Sequence, residues 1–375
     1  MCATVSLGGL AVGLYLALIS VTLWGKIFAL STFAFSTLPL VATLACVSTL
    51  HRRRWKTFGF TLSALLALAA AGFLLVVPDG QAPVGSPVQQ RFSHGQSFPR
   101  YNVANLEPEI EQINLGLHLI PFLDNLFTPE KTHRLTKLTL DLYQEMDRDP
   151  NFRALGSAMG GAYADLLGFP SYPPGHYYLY IPRSAPPGPL SAIVFLHGSA
   201  GNFKIYTWVW SQLAEQLGCV IIAPSFGFGN WDKPGGIETV RAALADAETV
   251  VKLDSRRIFL AGLSNGGLGV CAVANALPRQ FCACIFISPV MTGAIVTDPA
   301  FQTAWKGRPM LILTGEDDER IPVDYVRKNA QILRAGSVNV DLETYPGEDH
   351  FLIFSQRQSV LQKIAAWMQA PLAQP

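Results

Sequence analysis

The amino-acid sequence predicts an α/β fold with a mostly parallel central sheet, preceded by N-terminal transmembrane helices and a short helical segment. Two patterns predict this architecture. From His176 onward, short apolar runs alternate with helical patterns, as in a sheet that is buried on both faces. Before residue 80, three long apolar stretches contain no charged residue. The composition agrees with both patterns, because 50% of the 375 residues are hydrophobic and only 15% are charged.

Residues 1–80 are predicted to form a membrane anchor with about three transmembrane helices. Their apolar stretches cover residues 7–24, 27–50 and 58–77, and each is long enough to cross a hydrocarbon core of about 30 Å as a helix. A cleaved signal peptide would explain only the first stretch. The Trp24-Gly25-Lys26 connection is tight for a helical hairpin, so two spans or one re-entrant segment are the alternatives.

The distribution of charge predicts the orientation of this anchor. Residues 1–80 carry five basic residues and one acidic residue, whereas the remainder carries 23 basic and 26 acidic residues. The basic cluster at residues 51–56 separates the second and third stretches, and short basic loops stay in the cytoplasm. The third stretch would then carry the rest of the chain to the non-cytoplasmic side. The sequence therefore predicts a multi-pass integral membrane protein, with the lipid bilayer as one of its partners.

A linker and a group of helices are predicted between the anchor and the sheet. Residues 81–100 are polar and rich in Pro, Gly, Ser and Gln, which is typical of a linker. Residues 101–173 carry apolar side chains at helical spacing, and Thr128-Pro129 is a helix-start signal. This helical segment either packs against the main domain or the membrane surface, or covers an active site as a lid. The sequence leaves both roles open.

The α/β domain itself is predicted to cover residues 174–375. Its seven predicted strands cover residues 177–181, 192–196, 220–223, 258–261, 283–287, 310–313 and 338–344. Active sites in such sheets lie at the carboxyl ends of the strands. Motifs that follow a strand directly are therefore the candidate functional sites.

Ser264 is the candidate nucleophile. It lies in the segment Gly262-Leu263-Ser264-Asn265-Gly266, which follows a predicted strand and precedes an apolar helical stretch. A G-x-S-x-G turn between a strand and a helix forces the serine into a strained conformation that exposes its hydroxyl. The alternative is an ordinary glycine-rich turn, and the presence of catalytic partners decides between the two.

His350 is the candidate general base, because a serine hydroxyl needs a histidine to take its proton and a carboxylate to orient that histidine. Six of the seven histidines precede Ser264, and only His350 follows it, in a loop after the last predicted strand. Between these two residues, a predicted strand runs into the acidic loop at residues 316–319. The carboxylates of this loop compete for the orienting role.

A second loop supplies the candidate donors of an oxyanion hole. The predicted strand at residues 192–196 leads into His197-Gly198-Ser199-Ala200. An oxyanion hole needs backbone N–H groups that point at the developing negative charge. We expect these donors to be the N–H of Ser199 or Ala200, joined by the N–H of Asn265. His197 is expected to be a structural hydrogen-bonding residue rather than a base.

Together these motifs resemble the α/β-hydrolase family over about residues 174–370. The segments LHGSAGN and GLSNGG are most similar to esterase, dienelactone-hydrolase-like and polyester-depolymerase-like branches. The resemblance implies an α/β-hydrolase fold with the chain order serine, acid, histidine. It also selects Asp318 as the acid, with Asp317 second, because Gly315 and Pro322 match the ends of the family's G-x-x-D-x-x-(I/V)-P loop. A dienelactone hydrolase would use a cysteine where this chain has Ser264.

Phe226, Phe228 and Trp231 are the candidate residues of a substrate pocket. They lie in a glycine-rich loop that follows the predicted strand at residues 220–223. Pockets for small molecules are commonly lined by aromatic side chains near the carboxyl ends of strands. Aromatic packing within the core is the alternative explanation.

The sequence gives no signal for a cofactor, a metal or nucleic acid. Gly227-Phe228-Gly229 lacks the third glycine of a dinucleotide fingerprint, and neither a Walker A nor an HExxH motif occurs. The net charge of +1 argues against nucleic-acid binding. We therefore predict a membrane-anchored serine hydrolase that cleaves small-molecule or lipid-like carboxylic esters through an acyl-enzyme intermediate. A serine peptidase of prolyl-peptidase type and a catalytically silent binding protein with a hydrolase fold are the alternatives.

Overall fold

The computed structural model describes residues 2–47, 53–169 and 175–370. The chain divides into two compact units, Met1–Asp79 with Pro99–Thr132, and Gly80–Phe98 with His133–Pro375. The predicted helical segment at residues 101–173 is thus shared between the two units. The end of the second predicted span, residues 48–50, and the first two residues of the basic cluster lie outside the described residues.

The first unit is built from helices along its described length. Its helices are α1 (Cys2–Ile19), α2 (Leu23–Val47), α3 (Arg53–Val76), α4 (Val103–Leu106) and α5 (Glu109–Leu119), and α5 continues into a 3-10 turn (Ile120–Phe122). Helix α2 packs along both α1 and α3. One helical segment in the described part of the chain, Thr57–Val76, is long and apolar enough to cross a membrane. The apolar segment Ser6–Ile19 is shorter.

The junction between α1 and α2 lies at residues 20–22, so the predicted connection at Trp24-Gly25-Lys26 is wrong. These three residues belong to the first turn of α2. Thr22 explains the earlier start, because its hydroxyl oxygen accepts the N–H of Gly25 at 2.9 Å and so caps the helix. Apolar composition alone placed the turn at the lysine, whereas the capping hydroxyl determines where the helix begins.

The second unit contains an eight-stranded sheet. Its strands are β1 (Val88–Phe92), β2 (His176–Tyr180), β3 (Leu190–Leu196), β4 (Val220–Pro224), β5 (Leu253–Leu263), β6 (Ala283–Ile287), β7 (Pro309–Gly315) and β8 (Asn339–Tyr345). The strand order is β1-β2-β4-β3-β5-β6-β7-β8. Strands β1, β2 and β4 pair in antiparallel fashion, and the pairs from β4 to β8 are parallel. The predicted α/β fold with a mostly parallel sheet is thereby confirmed.

Strand β1 lies within the predicted linker at residues 81–100, which therefore contains an edge strand of the sheet. Val88 pairs with Tyr180 and Phe92 pairs with His176. The inward side chains of β1 alternate with partly exposed ones along the strand. The remaining 15 residues of the predicted linker flank this strand on both sides.

Further helices separate or follow these strands along the chain, and several of them pack against the sheet. They are α6 (Pro129–Met146), α7 (Pro150–Ala154), α8 (Gly160–Leu166), α9 (Lys204–Leu217), α10 (Gly236–Glu248), α11 (Gly266–Ala276), α12 (Gly293–Val296), α13 (Pro299–Ala304), α14 (Val323–Ala335), α15 (Leu352–Ser355) and α16 (Arg357–Gln369). The central strands are buried along their length because both faces are covered. Alternate residues such as Val194 and Leu260 join one continuous apolar cluster with side chains of α10, α11 and α14.

Candidate active site

Ser264 occupies the sharp turn that joins β5 to α11. Its backbone has a φ of 52°, a left-handed conformation that serine rarely adopts. The N–H of Ser264 donates to the carbonyl of Ile287 at 2.9 Å, and its own carbonyl accepts the N–H of Val290 at 3.0 Å. These bonds to β6 and the residues that follow it hold the turn at the carboxyl end of the sheet.

The glycines on either side of Ser264 allow this turn to form. A Cβ atom on Gly262 would clash with the carbonyl of Gly266, and one on Gly266 would clash with the carbonyl of Leu196. The strand and the helix therefore approach more closely than any side chain would permit. The G-x-S-x-G motif is thus a packing requirement of this fold.

His350 lies between Ser264 and Asp318. Its Nε2 atom is 3.0 Å from Oγ of Ser264, and its Nδ1 atom is 2.8 Å from Oδ2 of Asp318. Because a carboxylate oxygen accepts hydrogen bonds, Nδ1 carries the proton and donates it to Asp318. Nε2 is then free to accept the hydroxyl proton of Ser264, which is the arrangement that general-base activation of a serine requires.

Asp318 is held in place by the backbone of its own loop. Its Oδ1 atom accepts the N–H groups of Arg320 at 2.9 Å and Ile321 at 2.8 Å. The side chain of Asp318 is fully buried, whereas Asp317 is exposed. Of the two aspartates that the sequence proposed, the structure brings Asp318 to His350.

A close backbone approach joins the loops that carry Asp318 and His350. A Cβ atom on Gly315 would clash with the carbonyl of Glu348. The N–H of Asp317 also donates to this carbonyl, at 2.9 Å. The glycine at the end of β7 is therefore needed because the two loops must touch for the acid to reach the histidine.

The loop that follows β3 runs beside the nucleophile. A Cβ atom on Gly198 would lie 3.3 Å from Cβ of Ser264. Ala200 has a φ of 78°, and strained backbone of this kind is concentrated at functional sites. Asn265 is the N-cap of α11, where backbone N–H groups lack partners within the helix. The predicted donors Ser199, Ala200 and Asn265 thus lie on segments that flank the nucleophile, and their role in an oxyanion hole stays a prediction.

His197 is fully buried and links two loops. Its Nε2 atom accepts the N–H of Phe226 at 3.1 Å, so Nδ1 carries the proton and donates to the carbonyl of Gly198 at 2.7 Å. Burial lowers the pKa of His197 to about 4. The imidazole is therefore neutral near pH 7 and ties the loop after β3 to the loop after β4.

The three predicted pocket aromatics differ in their exposure. Trp231 is only 1% exposed, and its Nε1–H donates to the carbonyl of His197 at 2.9 Å. Its ring also packs against that of Phe226, with the centroids 5.2 Å apart. Trp231 therefore supports the loop after β3 from within the core, which corrects its predicted place on a pocket surface. Phe226 and Phe228 are half-buried and stay candidate pocket residues.

Helix α8 makes contacts at the site that the sequence did not predict. Oδ2 of Asp165 accepts the N–H of Phe228 at 2.9 Å. A Cβ atom on Gly201 would lie 2.9 Å from both Met159 and Ala162. Helix α8 and its N-cap thus contact both loops that flank the nucleophile. A single carboxylate within a short helix belongs to no motif, so no sequence signal marked Asp165.

The part of α6 within the second unit is tied to the histidine loop. Arg134 pairs with Asp349 at 2.8 Å, and Glu145 pairs with Arg357 at 2.9 Å. Partly exposed pairs of this kind contribute little stability, but they show which residues of the second unit this part of α6 contacts. The contacts favour the packing role for this part of the predicted helical segment, and a lid role stays a prediction.

Buried cysteines do not offer an alternative nucleophile among the described residues. Cys219 and Cys271 are free thiols, and burial raises the pKa of each to about 12. A thiol with so high a pKa carries almost no thiolate at neutral pH. No group of three or more His, Cys, Asp and Glu side chains in the described ranges could hold a metal ion.

Two family models match the second unit. Residues 193–305 match the α/β hydrolase family, and residues 294–374 match the prolyl oligopeptidase family. The two matches run from β3 to the end of the chain and include Ser264, Asp318 and His350. Taken with the sheet order and the turn at Ser264, they show that the second unit is similar to proteins of the α/β-hydrolase superfamily and has their fold.

Two curated proteins with similar sequences are named as esterases. Probable acetylxylan esterase A of Neosartorya fischeri is 26% identical over 161 residues, which cover 39% of this chain and 43% of that protein. Probable acetylxylan esterase A of Aspergillus niger is 23% identical over 160 residues, which cover 39% of this chain and 52% of that protein. The chain thus spans about half the length of the curated relatives it matches. A solved ferulic acid esterase is 18% identical with a TM-score of 0.45, covering 52% of this chain and 91% of that chain.

Proposed function

We propose that this protein is a serine hydrolase that cleaves carboxylic esters, with Ser264 as the nucleophile, His350 as the general base and Asp318 as the orienting acid. The observation that carries the proposal is the unbroken hydrogen-bond chain from Ser264 through His350 to Asp318, with distances of 3.0 Å and 2.8 Å. The serine also has the strained backbone of a nucleophile elbow. Esterase-named relatives support the same activity.

The reaction follows from this geometry in two steps. Nε2 of His350 takes the hydroxyl proton as Oγ of Ser264 bonds to the ester carbonyl carbon, and the proton then passes to the departing alcohol as the C–O bond breaks. Water next attacks the acyl-serine, His350 takes a proton from this water, and the acid is released with the serine hydroxyl restored. Asp318 holds the imidazole in the required tautomer throughout both steps.

The loop after β3 would stabilise the tetrahedral intermediates. Backbone N–H groups of Ser199 or Ala200, together with that of Asn265, would donate to the oxyanion. The neutral side chain of His197 and the indole of Trp231 hold this loop from beneath. The half-buried rings of Phe226 and Phe228 would form one side of the substrate pocket.

A serine peptidase is the second candidate, because residues 294–374 match the prolyl oligopeptidase family. The same three residues would serve amide cleavage. Turnover of p-nitrophenyl acetate, butyrate and laurate by the purified full chain, compared with turnover of Gly-Pro-p-nitroanilide, separates the two. Ester turnover without amide turnover supports the esterase. The reverse result assigns the peptidase, and no turnover of either substrate class favours a silent binding protein.

We further propose that the first unit anchors the enzyme in a membrane as a multi-pass segment, with the second unit on the non-cytoplasmic side. Helix α3 contains the apolar segment Thr57–Val76, α1 has no charged residue, and Lys26 in the first turn is the one charged residue of α2. The basic residues before α3 would keep its N-terminus in the cytoplasm. Small-molecule or lipid-like esters that collect at the bilayer would then be the substrates.

Reporter fusions test this orientation. Alkaline phosphatase, which is active only outside the cytosol, and green fluorescent protein, which fluoresces only when folded inside it, are each fused after Pro375. We expect phosphatase activity without fluorescence. Fluorescence without phosphatase activity would place the second unit in the cytosol, while leaving the ester-hydrolase proposal in place.

A further inference from the structure

Side chains from α5 close the junction between α1 and α2. The carboxylate of Glu111 accepts the N–H groups of Val21 at 3.1 Å and Thr22 at 2.6 Å, and it also accepts the hydroxyl of Thr22 at 2.6 Å. Nδ2 of Asn114 donates to the carbonyl of Ile19 at 2.9 Å. Backbone groups at helix ends have no partner within the helix, so α5 satisfies the groups that the turn leaves open.

The C-terminal end of α3 is closed by the segment just before α5. The guanidinium of Arg100 donates to the carbonyls of Leu75 at 3.0 Å and Val77 at 2.6 Å. Nδ2 of Asn105 donates to the carbonyl of Pro78 at 2.9 Å. The end of α1, the start of α2 and the end of α3 therefore lie together under one polar segment. Unpaired carbonyls are costly in a bilayer, so such a segment belongs where apolar helices leave the hydrocarbon.

The residues around these helix ends are the types found at a membrane surface. Trp24 donates its indole N–H to the carbonyl of Leu106 at 3.3 Å, and Arg100 lies over the ring of Tyr101 at 5.5 Å from its centroid. Tryptophan and tyrosine are enriched where a bilayer meets water, and arginine extends its charge toward that level. Lys26 is exposed near the same junction.

Exposed apolar side chains lie at the end of α5 and in the turn that follows it. The buried side of α5 itself contains the polar residues Glu109, Glu111, Gln112 and Asn114 beside Ile110 and Leu117. Leu119 is the last residue of α5, Phe122 lies in the 3-10 turn and Leu123 follows it, and these three side chains are 45%, 86% and 84% exposed. Three large apolar side chains grouped in this way on a surface form an exposed apolar face, and such a face indicates a nonaqueous neighbour.

We propose that Leu119, Phe122 and Leu123 insert into the boundary between headgroups and acyl chains of the bilayer that α3 crosses. The three side chains would form an interfacial anchor, continuous with the polar segment that closes the ends of α1, α2 and α3. The occupant is lipid, because the face belongs to the same compact unit as the apolar segment Thr57–Val76 and follows directly on the helix-end contacts. This inference rests on the membrane part of the proposed function and is independent of the ester-hydrolase part.

Fluorescence quenching of the full chain in lipid nanodiscs tests the insertion. Phe122→Cys and, separately, Leu123→Cys are labelled with a nitrobenzoxadiazole fluorophore, and Val250→Cys in the second unit is the control, since Val250 is also an exposed apolar residue. The unsubstituted chain is labelled in parallel to subtract the signal from the native cysteines. The quenchers are a phosphatidylcholine with a doxyl group near the headgroup and aqueous iodide.

We expect the labels at residues 122 and 123 to be quenched by doxyl lipid at least about threefold more strongly than the Val250 label, and by iodide about threefold less. The protection from iodide should persist when each nanodisc holds a single chain. Loss of protection upon this dilution would mean that a second copy covers the face, and iodide quenching equal to that of the Val250 label would mean that water does. Either result overturns the inference.

Extraction with alkaline carbonate separates the failure of this inference from failure of the proposed function. A chain that stays in the membrane while its Phe122 label behaves as aqueous loses only the interfacial anchor. A chain released by carbonate loses the membrane part of the proposed function as well, and the anchor with it. Ester turnover of the labelled variants, compared with that of the unsubstituted chain, reports on the hydrolase independently of both results.

Discussion

Two buried serines near the carboxyl ends of β5 and β6 share an unusual backbone but have different neighbours. Ser264 and Ser288 have φ values of 52° and 41°. Oγ of Ser264 lies 3.0 Å from His350, whereas the hydroxyl of Ser288 has no hydrogen-bond partner within the described residues. Strain alone therefore does not make a nucleophile, and the adjacent histidine is the feature that distinguishes Ser264.

Replacing each of these serines by alanine gives a matched test. Ser264→Ala should abolish ester turnover because it removes the attacking oxygen, and it should change stability by no more than about 1 kcal/mol because few packing contacts are lost. Ser288→Ala should retain turnover, since its hydroxyl makes no bond to lose. Hydrolysis rates and unfolding midpoints are measured on the same samples. Turnover that survives in Ser264→Ala would remove this residue from the mechanism.

The two neighbouring aspartates give a second matched pair. Asp318→Asn should lower kcat by roughly up to 10⁴-fold, because an amide no longer holds His350 with its proton on Nδ1. Asp317→Asn should have little effect, because that side chain is exposed. Steady-state kinetics on a soluble ester measures both variants. If kcat fell more in Asp317→Asn than in Asp318→Asn, Asp317 and not Asp318 would be the acid that orients His350.

At the scale of residues, the sequence placed the three proposed triad members because each follows a strand in a motif with its own geometric reason. Gly262 and Gly266 mark a turn that only glycine permits, and Gly315 marks the contact between two loops. The sequence placed Trp231 on the pocket surface because aromatic side chains commonly line pockets. Its burial depends on contacts with loops that are distant along the chain, and the sequence does not reveal these contacts.

At the scale of elements, strand β1 shows that the average composition of a segment does not reveal a short strand within it. The segment around it is rich in proline, glycine and serine, yet Val88 and Phe92 face inward and Gln90 is buried. Gln90 donates to the carbonyl of Gly80 and accepts from Nε2 of His176 at 2.9 Å. A strand of five residues is too short to change the average composition of its surroundings, and its polar central residue is satisfied only by partners elsewhere in the fold.

Helix α8 gives a prediction at this scale, because Asp165 joins it to the loop of Phe228. Asp165→Ala should lower kcat/KM for esters by about three- to tenfold, as expected when one hydrogen bond that positions a loop is lost. Asp165→Asn keeps an acceptor oxygen and should lose less. The values of kcat/KM are measured with a short and a long acyl ester, because both acyl chains would contact the half-buried aromatic residues of the proposed pocket.

Asp298→Ala is the matched control for this helix contact. Asp298 caps α13 by accepting the N–H of Ala300 at 2.9 Å, and its loss should cost stability of about 1 kcal/mol. The control should leave kcat/KM unchanged. Equal kinetic losses in Asp165→Ala and Asp298→Ala would mean that stability, and not loop position, explains the effect.

At the scale of the whole molecule, two buried histidines predict how the second unit responds to acid. Burial lowers the pKa of His176 to about 3, with a smaller contribution from His197, and it lowers the pKa of His197 to about 4. The unfolded chain takes up these protons near the ordinary value of 6.5, before the folded chain does. Their contribution to stability is therefore complete above pH 6.5 and is lost as the pH falls to about 4 for His197 and to about 3 for His176.

The pH dependence can be assigned with one variant. His176→Gln removes one of the two titrating groups, so its unfolding midpoint should fall less steeply between pH 6.5 and 4 than that of the unsubstituted chain. His94→Gln, at an exposed position, is the control and should leave the slope unchanged. Thermal unfolding followed by tryptophan fluorescence at several pH values gives the slopes. Parallel slopes for all three proteins would contradict the assignment.

The overall architecture was predictable because helices separate the successive strands along the chain from β3 to β8. The division of the helical segment between two units was not predictable. Residues 99–132 contact the apolar helices through polar groups such as Glu111 and Asn114, and residues from 133 onward contact the sheet domain. Both parts show helical spacing, and spacing does not reveal what a helix packs against.

The central claim is that Ser264 is a nucleophile activated by His350, and mapping a covalent adduct tests it most directly. The full chain is treated with a fluorophosphonate, which forms a stable bond only with an activated serine, and the modified peptide is identified by mass spectrometry. We expect a single adduct on Ser264 in the unsubstituted chain and none in His350→Gln, where the proton acceptor 3.0 Å from the serine is lost. No adduct in the unsubstituted chain, an adduct on another residue, or undiminished labelling in His350→Gln would contradict the claim.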